Sequence, residues 1–111
     1  MKIKTQDHND IAIIELQGEL DSEAVEDLKN IITSTIRTQK NGIVLDMQNI
    51  EFIDGAGLEQ LLWARDYCDD NHCQLRLASL KEDCAKILEL TRLQGEFDCY
   101  AEPAGAVKSF A

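Results

Sequence analysis

The sequence predicts an α/β fold: one mixed, mostly parallel β-sheet of about five strands, with about four helices packed on it. Short apolar, β-branched runs alternate with amphipathic segments of helical spacing along the whole 111 residues. Two strand-like runs follow one another at the start, which predicts an antiparallel hairpin and makes the sheet mixed. The expected order is therefore β-β-α-β-α-β-α-β-α, within a single domain covering residues 1–111.

An alternating segment, a turn and an apolar, β-branched run predict a hairpin at the start of the chain. Ile3 and Thr5 begin an alternating segment, and "DHND" then reads as a turn. The run "IAIIELQGELD", from Ile11 to Asp21, is apolar and β-branched enough for a buried strand. Both segments together predict two antiparallel strands.

The first helix is predicted from a cap and a periodic apolar face. Asp21 or Ser22 offers an N-cap, and acidic residues in the following turn suit the positive end of a helix. Asn41 and Gly42 supply a stop after a last helical residue near Gln39. Between them, apolar residues recur at helical spacing: Val25, Leu28, Ile31, Ile32 and Ile36.

The middle of the chain predicts strand, helix and strand. "GIVLDM", from Gly42 to Met47, is a short apolar run of the kind buried in a parallel sheet. "QNIEFIDGAGL" would lead from it into a helix over roughly Ala56 to Asp70. "QLRLASL", from Gln74 to Leu80, alternates as a fourth strand.

The last third predicts a helix, a short strand and a final helical turn. Ser79 is a candidate cap for "KEDCAKILELTRL", which would end at Gly95. "FDCYAE" follows as a strand, and Pro103 suits the first position of a last helix. The apolar face of the preceding helix would be formed by Cys84, Ile87, Leu88 and Leu93.

Charge narrows the classes of partner. The formal net charge is −10, from 21 acidic and 11 basic residues. Such a surface repels phosphate backbones and anionic lipid headgroups, so direct binding to nucleic acid or a membrane surface is not expected. The acidity favours a partner with a basic patch, or serves only to keep the protein in solution.

The sequence carries no apolar segment of the length of a membrane span or a signal peptide. We therefore expect a cytoplasmic protein. In a reducing compartment the cysteines are expected to be small free thiols.

No local arrangement predicts catalysis. No Ser-His-Asp, Cys-His or His-Glu-x-x-His pattern can be assembled, so we expect neither an enzyme nor a bound cofactor. Cys68, His72 and Cys73 are residue types that bind metals, but a fourth ligand is not evident, so no metal is predicted.

Three aspartates are expected on one edge of the sheet. Asp21, Asp46 and Asp54 each follow an apolar run, and the ends of parallel strands meet at the same edge. Three carboxylates suit Mg²⁺, whereas each one singly suits a cap or a turn, which we favour.

The second helix predicts two faces. Leu58, Leu61, Leu62, Ala64 and Cys68 gather on one side at about 100° per residue, which predicts the core face. Trp63 and Tyr67 point away from that side, beside the side chains of Glu59, Gln60 and Asp70. They are either anchors of a protein interface or are covered by a neighbouring segment.

The element order and two local signatures resemble the STAS domain family. The signatures are "GELD" (Gly18 to Asp21) and "IVLDMQNIEFIDGAGLEQL" (Ile43 to Leu61). The resemblance covers the whole chain and is greatest to the stand-alone bacterial anti-sigma factor antagonists. It implies a non-catalytic module of transcription regulation and signal transduction. Its implied partner is an ATP-binding anti-sigma factor kinase, bound so that a sigma factor is released, and the module itself is a monomer or weak dimer.

The resemblance also implies a phosphorylation site that this chain has lost. In those antagonists the pattern runs Asp-Ser-Ser/Ala-Gly-Leu, and the serine after the aspartate is phosphorylated by the partner kinase. Gly55 stands at that position and Ala56 follows, so neither offers a hydroxyl. No serine or threonine occurs between Gln39 and Ala78. The implied partner-binding residues are Asp21, Asp54, Gly55, Ala56, Gly57, Leu58, Glu59, Trp63 and Tyr67.

Two other roles remain open from the sequence. One is an accessory STAS subunit of a lipid-transport ABC system, which would bind the ATPase and would not need a phosphorylated serine. The other is a scaffold component of a larger signalling assembly.

Overall fold

A computed structural model describes residues 1–110 and confirms the mixed five-stranded sheet with four α-helices. The sheet order is β1-β2-β3-β4-β5, with β1 antiparallel to β2 and the other neighbours parallel. The strands are β1 Lys2–His8, β2 Ile11–Leu20, β3 Gly42–Ile53, β4 Gln74–Ala78 and β5 Asp98–Tyr100. The helices are α1 Val25–Arg37, α2 Gly55–Asp70, α3 Glu82–Leu90 and α4 Pro103–Lys108, with 3-10 turns at Ser22–Ala24 and Gln94–Glu96.

The two faces of the sheet carry unequal layers. Leu28 of α1, Leu61 of α2 and Leu88 of α3 share one buried cluster with Ile14 and Leu45 of the central strands. The opposite face is covered by α4, whose buried residue packs in a second, smaller cluster: Ile11, Val44, Ala78 and Ala106. Successive strand residues point to opposite faces, so the continuous apolar runs of β2 and β3 are buried on both sides.

The central strands are longer than their neighbours, and this corrects the predicted end of β3 at Met47. β4 ends where Ala78 pairs with Asp46, but β3 continues beside β2 until Ile53 pairs with Leu20. Register shifts after Glu15 and Gly18 interrupt the alternation in this extension. Because the bulges break the period of two, the polar residues that follow Met47 resemble a loop in the sequence.

The predicted start and end of α3 are both wrong, because residues other than glycine take the left-handed conformation near each end. Ser79 does not cap α3: its backbone is left-handed (φ 60°) and its hydroxyl donates to the carbonyl of Ala101. Helix α3 ends at Leu90, not at Gly95, because Arg92 takes the left-handed position (φ 62°) usually given to glycine. The amide of Leu93 then donates to the carbonyl of Leu88 at 2.8 Å, which closes the helix.

The start of α2 is held against the end of β2 by a glycine. A Cβ built on Gly57 would overlap the backbone carbonyl oxygen of Leu20. Gly57 is buried, and its amide donates to the Asp54 carboxylate at 2.9 Å. Gly55, the first residue of α2, is exposed, and no described atom lies within 4 Å of a Cβ built on it. The two glycines of "GAG" therefore differ in their structural role: a close backbone contact requires glycine at position 57, whereas no such contact exists at position 55 in the described part of the chain.

The aromatic pair of α2 is partly covered by a neighbouring segment, one of the two alternatives that the sequence left open. Trp63 and Tyr67 are half-buried and pack against the main cluster. Their rings stack on one another with centroids 5.0 Å apart, and the ammonium of Lys29, on α1, lies 5.8 Å from the Trp63 ring centre. Gln60, expected on the polar face beside them, is only 8% exposed. Helix α1 is thus the segment beside Trp63, and Gln60 is buried on a face that the sequence predicted to be polar.

We predict opposite effects for the two glycines of α2. Gly57→Ala should lower the free energy of unfolding by about 1–3 kcal/mol, because the new methyl group meets a backbone oxygen. Gly55→Ala should leave it unchanged or raise it by up to about 1 kcal/mol, since alanine favours a helix and the site is open. Urea denaturation of both variants measures the difference. Equal losses would contradict the close approach at Gly57.

We predict that Trp63→Ala lowers the free energy of unfolding by about 2 kcal/mol, roughly half the loss expected for a fully buried tryptophan. The half-buried ring packs against the core and stacks on Tyr67. Trp63→Phe, which retains an aromatic ring, should cost less than half as much. A loss below 0.5 kcal/mol for Trp63→Ala, about that of an ordinary surface change, would place the ring outside the packed structure.

Candidate functional site

The ends of β2 and β3 form one edge of the molecule, and two helical segments begin there. Leu20 and Ile53 are paired neighbours, and the amide of Asp54 donates to the Leu20 carbonyl at 3.2 Å. Asp21 follows the first of these strands and Asp54 follows the second. We use the name rim for two segments: residues 21–22, which follow β2, and residues 52–56, which include the end of β3 and the start of α2.

Each aspartate of the rim caps the helical segment that follows it. The Asp21 carboxylate accepts from the amide of Glu23 at 3.0 Å, and the Asp54 carboxylate accepts from the amide of Gly57 at 2.9 Å. These bonds satisfy amides that a helix start leaves without an intrahelical partner. The cap role expected for both residues is confirmed, and it fixes the backbone of the rim.

Asp46 does not join the other two aspartates, which corrects the predicted cluster of three. It lies inside β3, beside Glu15 of β2 and Ala78 of β4, and its carboxylate accepts from the amide of Gln48 at 3.1 Å. At about 3.3 Å per strand residue, roughly 20 Å of β3 separate it from the rim. Its position was misjudged because β3 was expected to end at Met47.

Phe52 is an exposed apolar residue of the rim that the sequence analysis missed. Its side chain is 46% exposed, whereas the next residue, Ile53, is 2% exposed. Adjacent residues of a strand point to opposite faces, so one of two neighbouring apolar residues must leave the core unless both faces are covered. The pair Phe-Ile was therefore a readable signal, but it depended on recognising that β3 continues to Ile53.

One row of α2 continues from the rim. Gly55, Glu59, Trp63 and Tyr67 are spaced four apart, and residues at that spacing lie on the same side of a helix. Gly55 and Glu59 are exposed, while the two aromatic residues are half-buried. The structure thus brings these four predicted residues together along one row.

The other α2 residues that were predicted to bind a partner are less exposed. Gly57 is buried under the end of β2, so it positions the rim and offers no side chain to a partner. Leu58 is half-buried and packs against the core, and Ala56 is half-buried.

The charge around the rim is negative and largely uncompensated. Five carboxylates lie at or next to it and take part in none of the ion pairs found in residues 1–110: Glu19, Asp21, Glu23, Asp54 and Glu59. Glu51, beside them, is paired with Lys81 at 2.6 Å. The rim therefore combines an exposed aromatic ring with an excess of negative charge.

The cysteine pair is located at the other end of α2. Cys68 and Cys73 are both buried, and the amide of Cys73 donates to the carbonyl of Cys68 at 2.9 Å, which closes the helix. The adjacent Cys73 thiol and burial together raise the pKa of Cys68. His72 is exposed, with a left-handed backbone. Among residues 1–110, no group of three or more His, Cys, Asp or Glu side chains is arranged to hold a metal ion.

None of the helices in the described part of the chain combines the length and the apolar character needed to cross a membrane.

Comparison with known proteins identifies one family. The family model described as STAS domain matches residues 2–106. A curated relative, the STAS-domain containing protein PA14_20770 of Pseudomonas aeruginosa, is 27% identical over 84 residues, which are 76% of this chain and 82% of the relative.

Three solved structures share the fold at low sequence identity. TM1081 from Thermotoga maritima aligns with a TM-score of 0.87 and 20% identity, covering 96% of this chain and 92% of its own. The anti-sigma factor antagonist SpoIIAA aligns with TM-scores of 0.81 unphosphorylated and 0.74 phosphorylated, the latter from Bacillus. Each form is 20% identical to this chain. The unphosphorylated form is aligned over 98% of this chain and 96% of its own, and the phosphorylated form over 99% of this chain and 100% of its own.

A protein of the sulfate transporter family from Wolinella succinogenes aligns with a TM-score of 0.80 and 16% identity, covering 90% of this chain and 84% of its own. The fold is therefore that of antagonist and transporter-family proteins alike. Because the family model spans nearly the whole sequence, the chain belongs to the STAS domain family.

Proposed function

We propose that the protein is a non-catalytic, cytoplasmic regulator of the anti-sigma factor antagonist type. Its rim would dock on an ATP-binding anti-sigma factor kinase, and this binding would release a sigma factor. The observation that carries the proposal is the rim itself: a rigidly capped edge that exposes Phe52 among unpaired carboxylates. Binding would act by competition, so the protein needs no catalytic group of its own.

Phe52 is the proposed apolar anchor. Fully burying a phenylalanine side chain stabilises a complex by about 1.5–3 kcal/mol relative to leaving it exposed. Since nearly half of this side chain is exposed in the free protein, a partner pocket would gain a substantial part of that. The capped backbone on either side keeps the ring in place, which reduces the entropy lost on binding.

The carboxylates supply the proposed specificity. Five acidic side chains at or next to the rim take part in no ion pair within residues 1–110, and the whole chain carries a net charge of −10. A complementary basic patch would be attracted over a distance of about one Debye length, roughly 8 Å at physiological ionic strength. The proposed complex should therefore form faster at low salt.

Gly55 removes one means of control from the proposed site. SpoIIAA is known in a phosphorylated and an unphosphorylated form. By the resemblance of the motif, Gly55 stands where the antagonists carry their phosphoserine. Without a hydroxyl, this position stays competent for binding whatever the kinase activity of the partner.

A role in a transport system is the second candidate. The likeness to the sulfate transporter family protein favours it, because the same fold occurs there. In that case the rim would bind the ATPase subunit of a transporter, and the absent hydroxyl would have no consequence.

Affinity capture from native lysate, followed by mass spectrometry, tests the two candidates against one another. Recovery of an anti-sigma factor kinase, with the sigma factor left unbound, is the expected result. Recovery of a permease and its ATPase would replace the proposal by the transport role. The recovered partner is then purified for titration with the variants below.

Phe52→Ala should weaken binding of the purified partner at least tenfold, because the apolar anchor is lost. Leu90→Ala is the matched control: Leu90 is also exposed (73%) but lies at the end of α3. It should change the dissociation constant less than twofold. Isothermal titration measures both, and equal effects would exclude Phe52 as the anchor.

Gly55→Asp should weaken the same complex about tenfold or more, since it places a bulky, hydrated side chain where the partner packs against the start of α2. Gly95→Asp is its control, because Gly95 is equally exposed and open but lies in the turn after α3. Both variants should keep the thermal melt within a few degrees of the wild type. Unchanged binding by Gly55→Asp would place the interface elsewhere.

A further inference from the structure

The rim carries a hydroxyl group in its other half. Ser22 follows Asp21 just as Gly55 follows Asp54, and each is the first residue of the helical segment that its aspartate caps. The two segments begin side by side, because Leu20 and Ile53 are paired. Ser22 is distant from Gly55 in sequence but lies on the same edge of the sheet.

The hydroxyl of Ser22 is also unusual in being free. Nine serine and threonine residues lie in the described part of the chain. Seven of them donate a hydrogen bond to a backbone carbonyl: Thr33, Ser34, Thr35, Thr38, Ser79, Thr91 and Ser109. Only Thr5 and Ser22 make no such bond within residues 1–110, and both are exposed.

The two free hydroxyl groups lie in different parts of the molecule. Thr5 lies in the middle of the edge strand β1, opposite Ile14. Ser22 lies on the rim, which is the proposed docking surface. A kinase bound at the rim would therefore find one unengaged hydroxyl group there.

We propose that Ser22 is the phosphorylation site of this protein, and that phosphate at Ser22 controls docking in place of the hydroxyl missing at Gly55. The inference rests on the proposed function and adds its regulation. The phosphoryl donor is the ATP held by the partner kinase.

The reaction balances without any further reactant. The oxygen of the Ser22 hydroxyl forms a bond to the γ-phosphorus of ATP. The bond from that phosphorus to the oxygen bridging the β- and γ-phosphates breaks, and ADP leaves with the bonding electrons. The hydroxyl proton passes to a base of the kinase or to solvent.

The expected effect of the phosphate follows from its bulk and hydration at the rim. A phosphoserine adds about −1.5 to −2 charges at pH 7. It would stand beside Asp21 and Glu23, neither of which has a cationic partner among residues 1–110. The bulk and hydration of the phosphate at a closely packed interface oppose docking, so phosphorylation releases the partner.

Incubation of the protein with the recovered kinase and γ-labelled ATP tests the site. Wild type and Thr5→Ala should each incorporate about one phosphate per chain, and Ser22→Ala should incorporate less than a tenth of that. Thermal melts of the three proteins establish that they are folded. Equal labelling of Ser22→Ala and wild type would overturn the proposal.

Gly55→Ser separates failure of the inference from failure of the proposed function. If wild type binds the kinase but stays unlabelled, the Ser22 assignment is overturned. Labelling of Gly55→Ser in that case would show that the antagonist role stands.

If no kinase is recovered, the proposed function fails, and phosphopeptide analysis of the protein from its own cells decides whether Ser22 is phosphorylated. Phosphate at Ser22 would support the site, and an unmodified Ser22 in growing and stressed cells would overturn it.

A binding measurement tests the consequence of the modification. Ser22→Glu should weaken the complex at least tenfold, while Thr5→Glu, which adds the same charge at the other free hydroxyl, should change it less than twofold. Equal effects of the two variants would show that only the total charge matters, which would overturn control at Ser22.

Discussion

The parallel pairing of β2 with β3, carried as far as Leu20 and Ile53, is the constraint on which the rest of this structure depends. It extends past the end of β4 and brings two helix starts to one edge. Gly57 completes the arrangement, because only a residue without a Cβ lets α2 approach the Leu20 carbonyl so closely. The rim is therefore held by backbone contacts and by the carboxylate caps of Asp21 and Asp54, and its other exposed side chains are free to vary.

This separation of support from surface explains the chemistry of the rim. The two capping carboxylates are engaged with backbone amides, whereas Phe52, Ser22 and Gly55 face outward with little protein around them. A partner can then be bound or repelled by changing exposed groups, without disturbing the fold. A bulky, strongly hydrated group such as a phosphate would change this surface most, and it would leave the supporting contacts intact.

The sequence predicted the fold class and the aspartate caps, but Gln60 on α2 and Asp46 in β3 were misjudged. Periodicity assigned Gln60 to the polar side of α2, yet it is buried. Of the two alternatives left open for Trp63, the structure shows the covered one, with Lys29 of α1 beside the ring. Asp46 was expected at a strand end, because bulges hid the second half of β3. Left-handed residues other than glycine, such as Ser79 and Arg92, gave no signal at all.

The sequence by itself determined the order of strands and helices, the aspartate caps and the absence of a hydroxyl at Gly55, since these depend on local periodicity and on residue type. Only the tertiary structure decided what lies next to what. The neighbourhood of Ser22 and Gly55 and the exposure of Phe52 arise from pairing between strands more than twenty residues apart in the chain. Such contacts leave no local pattern, because each strand satisfies its own period whichever neighbour it pairs with.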